Sequence, residues 1–149
     1  ATTLGTQVAV LDVSAPNLDE NTTVSIGSAA ALLTAQVTEN KDPGGIVSIS
    51  GDSANAYEIT LDAGSYMIEL LAGSLTNAQT YTLQLDDKTN DSAFIWSLSV
   101  SNTNQTNTFV SKFYDTAVYS TTLTVRFAYS DNTEGDGSYT GQILITKIT

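Results

Sequence analysis

The side chains of this sequence with the widest chemical reach are its carboxylates, and they fall into three groups. Asp131, Glu134 and Asp136 share the segment Asp131-Asn132-Thr133-Glu134-Gly135-Asp136-Gly137. Calcium takes several hard oxygens, and a flexible loop with glycines supplies them. The segment departs from the EF-hand loop, because Thr133 stands where Asp or Asn belongs and no Glu follows at the twelfth position. Its plainer reading is a solvated loop tip, with calcium as the alternative. Asp86, Asp87 and Asp91 form a second acidic group, in a predicted turn, with Lys88 beside them as a partial neutraliser. Glu58 and Glu69 form the third. Glycoside hydrolysis needs two acids about 5–9 Å apart across a cleft. Each of these two lies between apolar positions on predicted neighbouring strands, so both are expected to point outwards rather than to form a catalytic pair.

The remaining composition excludes much other chemistry. There is no His, which removes the commonest general base, the Ser-His-Asp triad and most zinc and copper sites. There is no Cys, hence no disulfide, no thiolate metal site and no Cys nucleophile. No catalytic residue, no enzymatic activity and no cofactor are expected. Charge is 5 − 16 = −11 and the pI is near 4.1, so no basic patch exists to release counterions from nucleic acid or to meet an anionic membrane. The longest strictly apolar run is Ala29 to Leu33, far short of the roughly 20 residues of a spanning helix. No basic stretch followed by an apolar one opens the sequence, and Ala1 is read as the residue left after removal of an initiator Met.

The elements that must position these groups are strands. The 149 residues fit one domain. Only 14% are charged, and polarity comes instead from Thr 23, Ser 16 and Asn 10, the idiom of all-β proteins. Period-two alternation puts successive side chains on opposite sheet faces. It appears at Tyr57 to Leu61, Tyr66 to Leu70, Tyr81 to Leu85, Phe94 to Val100, Leu123 to Tyr129 and Gln142 to Ile148. Weaker strands are expected at Val8 to Val13, Ala31 to Val37, Ile46 to Ser50 and Thr108 to Ala117. The stretch Ala29 to Leu33 reads as strand, with a short helical turn capped by Ser28 as the alternative. Four residues, Asp62-Ala63-Gly64-Ser65, separate two strong strands, which predicts a hairpin. Trp96 alternates with apolar residues and is expected in the core. Tyr114, Tyr119, Tyr129 and Tyr139 are expected at a surface or interface, where one end of the ring stays wet.

Ile59-Thr60-Leu61-Asp62-Ala63-Gly64-Ser65-Tyr66-Met67-Ile68 resembles the Ala-Gly-Thr/Ser-Tyr hairpin of C1q/TNF-like jelly-roll domains, in the versions that end phage fibres and other virion proteins. Phe109 to Phe113, Thr122 to Phe127 and the closing Gly141 to Ile148 resemble later strands of those heads. The resemblance covers roughly residues 46–148. It implies an antiparallel jelly-roll sandwich of about ten strands, with residues 1–45 as an N-terminal arm carrying the first strands and 46–149 as the head of one globular unit. It implies a homotrimer with aromatic and aliphatic side chains along its three-fold, for which Tyr66, Tyr119, Phe127 and Tyr129 are the expected interface residues. The corresponding function is that of a non-enzymatic capsid decoration or cement protein, made in the host cytoplasm and bound to the outer capsid surface and its major capsid protein. The alternative is a receptor- or carbohydrate-binding head of a phage fibre.

Overall fold

The computed structural model describes residues 7–18, 23–52, 55–73, 75–76, 80–88, 94–101, 109–130 and 137–149, with backbone alone for 16–18, 55, 75–76 and 94–101. The alternating segments become strands: β1 (Val8–Leu18), β2 (Gln36–Lys41), β3 (Val47–Asp52), β4 (Asn55–Leu61), β5 (Ser65–Leu71), β6 (Leu75–Thr76), β7 (Thr80–Asp87), β8 (Phe94–Ser101), β9 (Phe109–Asp115), β10 (Thr122–Ser130) and β11 (Gly137–Lys147), with one short helix, α1 (Ala30–Leu33). Sheet one runs β2-β1-β11-β5-β9, with β6 also on β11. Sheet two runs β3-β4-β10-β7-β8. Every named pairing is antiparallel, and consecutive strands repeatedly change sheets. The result is an all-β antiparallel jelly-roll sandwich of two sheets.

The core follows from alternation. Leu11, Val13, Ile68, Leu70, Ile143 and Ile145 point inwards from sheet one; Ile59, Leu61, Leu83, Leu85, Leu123, Val125 and Phe127 point inwards from sheet two; all are fully buried. Each such aliphatic side chain contributes about 1.5–3 kcal/mol relative to exposure.

Three expectations are corrected. The two strands flanking Asp62-Ala63-Gly64-Ser65 do not form a hairpin, because β3 and β10 occupy both edges of β4. The chain instead crosses from sheet two to sheet one. The corner is held by the Tyr66 hydroxyl, which donates to the Asp62 carbonyl at 2.6 Å, by the Gly64 N–H on the Thr116 hydroxyl at 2.8 Å, and by the Ile148 N–H on the Ser65 carbonyl at 2.7 Å. The stretch Ala29 to Leu33 contains α1 rather than a strand. Alanine and leucine are strong helix formers, and Thr34 ties the turn through its N–H and hydroxyl to the Ala30 carbonyl at 3.0 and 2.7 Å. Ser28 bonds the Ser25 carbonyl and does not cap α1.

Within residues 1–45, the expected first strands are β1 and β2. β1 lies inside sheet one between β2 and β11, paired from Val8↔Thr146 to Leu18↔Gly137. Finally, Asp86 and Asp87 stand within β7 and are buried, not in a turn.

Gly141 shows how tightly the sheet is fitted to its core. A Cβ at this position would lie 2.0 Å from the Tyr139 hydroxyl and 2.8 Å from the Leu71 carbonyl oxygen. Gly141→Ala is expected to lower stability by about 1–3 kcal/mol, measured as a fall in the urea midpoint at unchanged slope.

Candidate functional site

The two outer faces of the sandwich differ in chemistry. On sheet one the register aligns three rows of outward side chains. The first is Val8, Thr146, Met67 and Phe113; the second is Val10, Leu144, Glu69 and Ser111; the third is Asp12, Gln142, Leu71 and Phe109. The first two rows are mainly apolar. Phe109 and Phe113 stand on β9, the edge strand, at 60% and 52% exposure. On sheet two the outward positions of β3, β4, β7 and β10 are rich in hydroxyls: Ser48 beside Thr60, Thr60 beside Thr122, and Thr80 beside Ser130. Thr60 and Thr122 share a hydrogen bond of 3.3 Å, and Thr80 and Ser130 are bonded through their hydroxyls.

A groove of about 440 Å³ opens on the polar end of the sheet-one face, lined by Asp12, Ser14, Leu71, Gly73, Thr140 and Gln142 among others. Its origin is a break in the ladder. β5 pairs with β11 as far as Leu71↔Gln142, and pairing resumes only at Leu75↔Tyr139 of β6. Breaks of this kind re-aim side chains and recur beside binding sites. Asp12 is clamped at the rim by the Asn40 amide, at 3.0 and 3.3 Å to its two oxygens, and by the Gln142 amide at 3.1 Å.

The acidic residues are accounted for as follows. Asp131, Glu134, Asp136 and Asp91 lie outside the described residues. Asp86 accepts from Arg126 Nε and, at 2.6 Å, from Gln84 Nε2, and is 1% exposed. It holds a buried ion pair rather than a metal, and no cluster of three ligating side chains exists among the described residues. Arg126 also donates to the Ile26 carbonyl at 3.4 Å, which fastens the segment around α1 to β10. Glu58 faces out from sheet two, where it pairs with Lys88 at 2.9 Å, while Glu69 faces out from sheet one. They stand on opposite faces and form no carboxylate pair. The Lys88–Glu58 pair is exposed, so its contribution is small.

Three of the four expected interface aromatics are interior. Tyr66 and Phe127 are fully buried and Tyr129 is 4% exposed. Alternation places all three on inward faces, where neighbouring rings pack: Phe127 lies 4.8 Å from Tyr139 and 6.2 Å from Tyr129. Tyr114 and Tyr139, expected at a surface, are buried for the same reason. Tyr119 is half-buried and stacks on Tyr114 at 5.2 Å. Trp96 lies on β8, opposite Leu85. Among the described residues the exposed aromatics are Phe109 and Phe113; neither they nor the clamped Asp12 stood out by residue type, and the outward set of each strand is the signal that identifies them.

Burial displaces the tyrosine hydroxyls. Tyr81 is pushed up to about 12 by desolvation. Tyr139 is raised by desolvation and then by Tyr81, and Tyr114 by desolvation, then by Asp87 and Tyr119. Tyr66 is raised by desolvation and then by Asp62.

No family model matches the chain, and no curated protein matches it. Among solved structures it is similar to Eiger TNF from S. frugiperda, at 14% identity and a TM-score of 0.42, over 95% of this chain and 93% of that one. It is also similar to the C-terminal CBM6 of LamC, a marine laminarinase from Zobellia galactanivorans, at 21% identity and a TM-score of 0.29, over 68% and 89%. A third similarity is to the carbohydrate-binding module CBM6cm-2 of Cellvibrio mixtus lichenase 5A in complex with cellotriose, at 17% identity and a TM-score of 0.27, over 69% and 86%.

Two outcomes are expected from these groups. Arg126→Met leaves Asp86 charged and buried, with a loss of about 3–5 kcal/mol. The pair of changes Asp86→Leu with Arg126→Met recovers most of it, read from urea unfolding of the three proteins. The second outcome concerns pH. The buried tyrosines stay neutral in the folded state while those of the unfolded chain ionise near pH ~10. Their contribution is therefore whole below that pH and is lost as pH rises towards the folded values, about 12 for Tyr81. Tyrosinate absorbance is expected to rise cooperatively with unfolding, not as independent titrations.

Proposed function

We propose that the chain is a non-enzymatic virion structural protein, a homotrimeric decoration protein of the outer capsid surface. The observation that carries this reading is the contrast between the two outer faces. Val8, Val10, Met67 and Leu144, half-buried and flanked by Thr146 and Glu69, form an apolar patch that continues to the exposed Phe109 and Phe113 on β9, an edge of sheet one among the described residues. Large exposed apolar patches mark association sites, and an open edge strand with exposed aromatics favours them further. A second copy of this chain is the occupant, so that the first two rows of sheet one close into the assembly and the hydroxyl-rich face of sheet two stays outwards. The resemblance of Ala63 to Ile68 and of the closing strand to virion heads supports the same assembly and its place on the particle. With β1 and β2 inside sheet one, attachment to the capsid falls to the loops and outer faces rather than to residues 8–41.

Light scattering behind a sizing column is expected to give three times 15.7 kDa, about 47 kDa. Leu144→Asp is expected to return the monomer with unchanged circular dichroism, through a loss of association of roughly 100-fold or more from burying a charge in the interface. A wild-type monomer at every concentration overturns the assembly. Purified particles of the encoding virus are expected to carry the chain in fixed proportion to the shell protein. Recovery from the fibre fraction alone replaces the capsid role by a receptor-binding one, and absence from particles overturns both.

A further inference from the structure

We infer that the groove at the break between β5 and β6 is a binding site for a neutral saccharide unit, with Asp12 as its principal hydrogen-bond acceptor. The inference does not depend on the trimer. The groove occupies the polar end of the sheet-one face, beyond Val8, Val10, Met67 and Leu144.

The site is built. Asp12 receives three N–H contacts, two from Asn40 and one from Gln142, at 3.0–3.3 Å. No cation among the described residues pairs with it. Because both amides turn their NH₂ groups to Asp12, their carbonyl oxygens serve as acceptors. Of these groups Asp12 and Gln142 line the groove, so its rim holds the carboxylate and the Gln142 amide, joined by the Ser14 hydroxyl, which both donates and accepts. Adjacent hydroxyls of a pyranose are donors suited to a carboxylate beside an amide oxygen. Leu71, Ala72 and the glycines at 73 and 141 supply an apolar wall for the C–H face of a ring. Small-molecule sites combine such walls with a few placed polar groups, and a volume of about 440 Å³ lies in their range. Anionic ligands are refused by Asp12 and by the net charge of −11. A cation is the weaker fit, because three N–H groups already neutralise part of the carboxylate charge and the groove extends well past it along an apolar wall.

Backbone amide NMR of the full-length chain, titrated in turn with the methyl glycosides of glucose, galactose, mannose and N-acetylglucosamine, tests this. At least one is expected to give saturable shifts centred on residues 12–14, 71–73 and 140–142, with a dissociation constant on the order of 1 mM. Asp12→Ala is expected to weaken binding by about tenfold or more, as for a lost hydrogen bond to a charged group. Ser14→Gln leaves the Asp12 clamp in place and is expected to block the groove by bulk, so the test survives if Asp12→Ala fails to fold. Absence of shifts with all four glycosides overturns the site. So does binding that Asp12→Ala and Ser14→Gln both leave intact. Shifts of the same residues by n-butylammonium, with the glycosides silent, overturn it in favour of a cation cradle. Light scattering on the same sample reads assembly separately: a monomer that binds a glycoside upholds the site while the trimer fails, and a trimer with a silent groove does the reverse.

Discussion

The insertion of β11 between β1 and β5 is the pairing on which the rest of this molecule depends. It joins the two ends of the described chain, since Val8 meets Thr146 and Asp12 meets Gln142. It also completes the inward layer of sheet one with Ile143 and Ile145. Contacts so distant in sequence carry a high loop-closure entropy, and loss of β11 opens sheet one between β1 and β5. Gly141 is its tightest point: the Tyr139 hydroxyl lies where any larger residue would place its Cβ. Both outer features of sheet one, the apolar rows and the clamped Asp12, exist only because β11 lies beside β1.

The sandwich achieves its solubility with few charges. On sheet two, hydroxyls bond across strands at Thr60–Thr122 and Thr80–Ser130, and the exposed Glu58–Lys88 pair adds charge to the same face. Where charge is buried, it is paired. Asp86 and Arg126 face outwards from neighbouring strands, and Arg126 also holds the Ile26 carbonyl, so one guanidinium fixes both the strand pair and the segment leading to α1. That segment takes over where β4 stops. β4 pairs with β10 at Thr122–Thr124, and farther along Val24 bridges to Tyr129. A buried pair of this kind is weak evidence for stability; its role here is to fix which segment covers the exposed length of β10.

Alternation made the fold class and most strand positions legible. Tyr66, Ile68 and Leu70 were assigned to one face from their spacing, and that face is the interior. Spacing is silent about partners, however. The three residues between β4 and β5 have the length of a hairpin turn, and only the occupied edges of β4 exclude it. Residue type misled where it was weighed above period. Tyr114, Tyr129 and Tyr139 suit an interface by chemistry, yet each occupies an inward position, and Phe109 and Phe113 occupy outward ones. Asp86 and Asp87 read as a turn because acidic residues favour turns, but Gln84, two residues away on the same strand, and Arg126, forty residues on, supply the partners that keep Asp86 in a strand, and the cation that pairs with it is too distant in sequence to be coupled to it by inspection. Ala29 to Leu33 divided between strand and helix because short apolar runs carry no period.

The groove was illegible for a different reason. Asp12, Asn40 and Gln142 lie on three strands that meet only through the order β2-β1-β11, and each alone is an ordinary polar residue at an outward position. What makes them a constellation is the register, and what makes room above them is the failure of β5 to continue along β11 beyond Leu71. The break changes the face on which it lies. On one side of it Val8, Val10, Met67, Leu144 and Phe113 predominate in the outward rows, with Thr146, Glu69 and Ser111 among them; on the other stand Asp12, Ser14 and Gln142 beside the small residues 72, 73 and 141. A continuous ladder would have extended the apolar rows over the whole sheet and left a single sticky surface. By interrupting one pairing, the chain gives one sheet two chemically distinct ends, so association and ligand recognition need not compete for the same side chains.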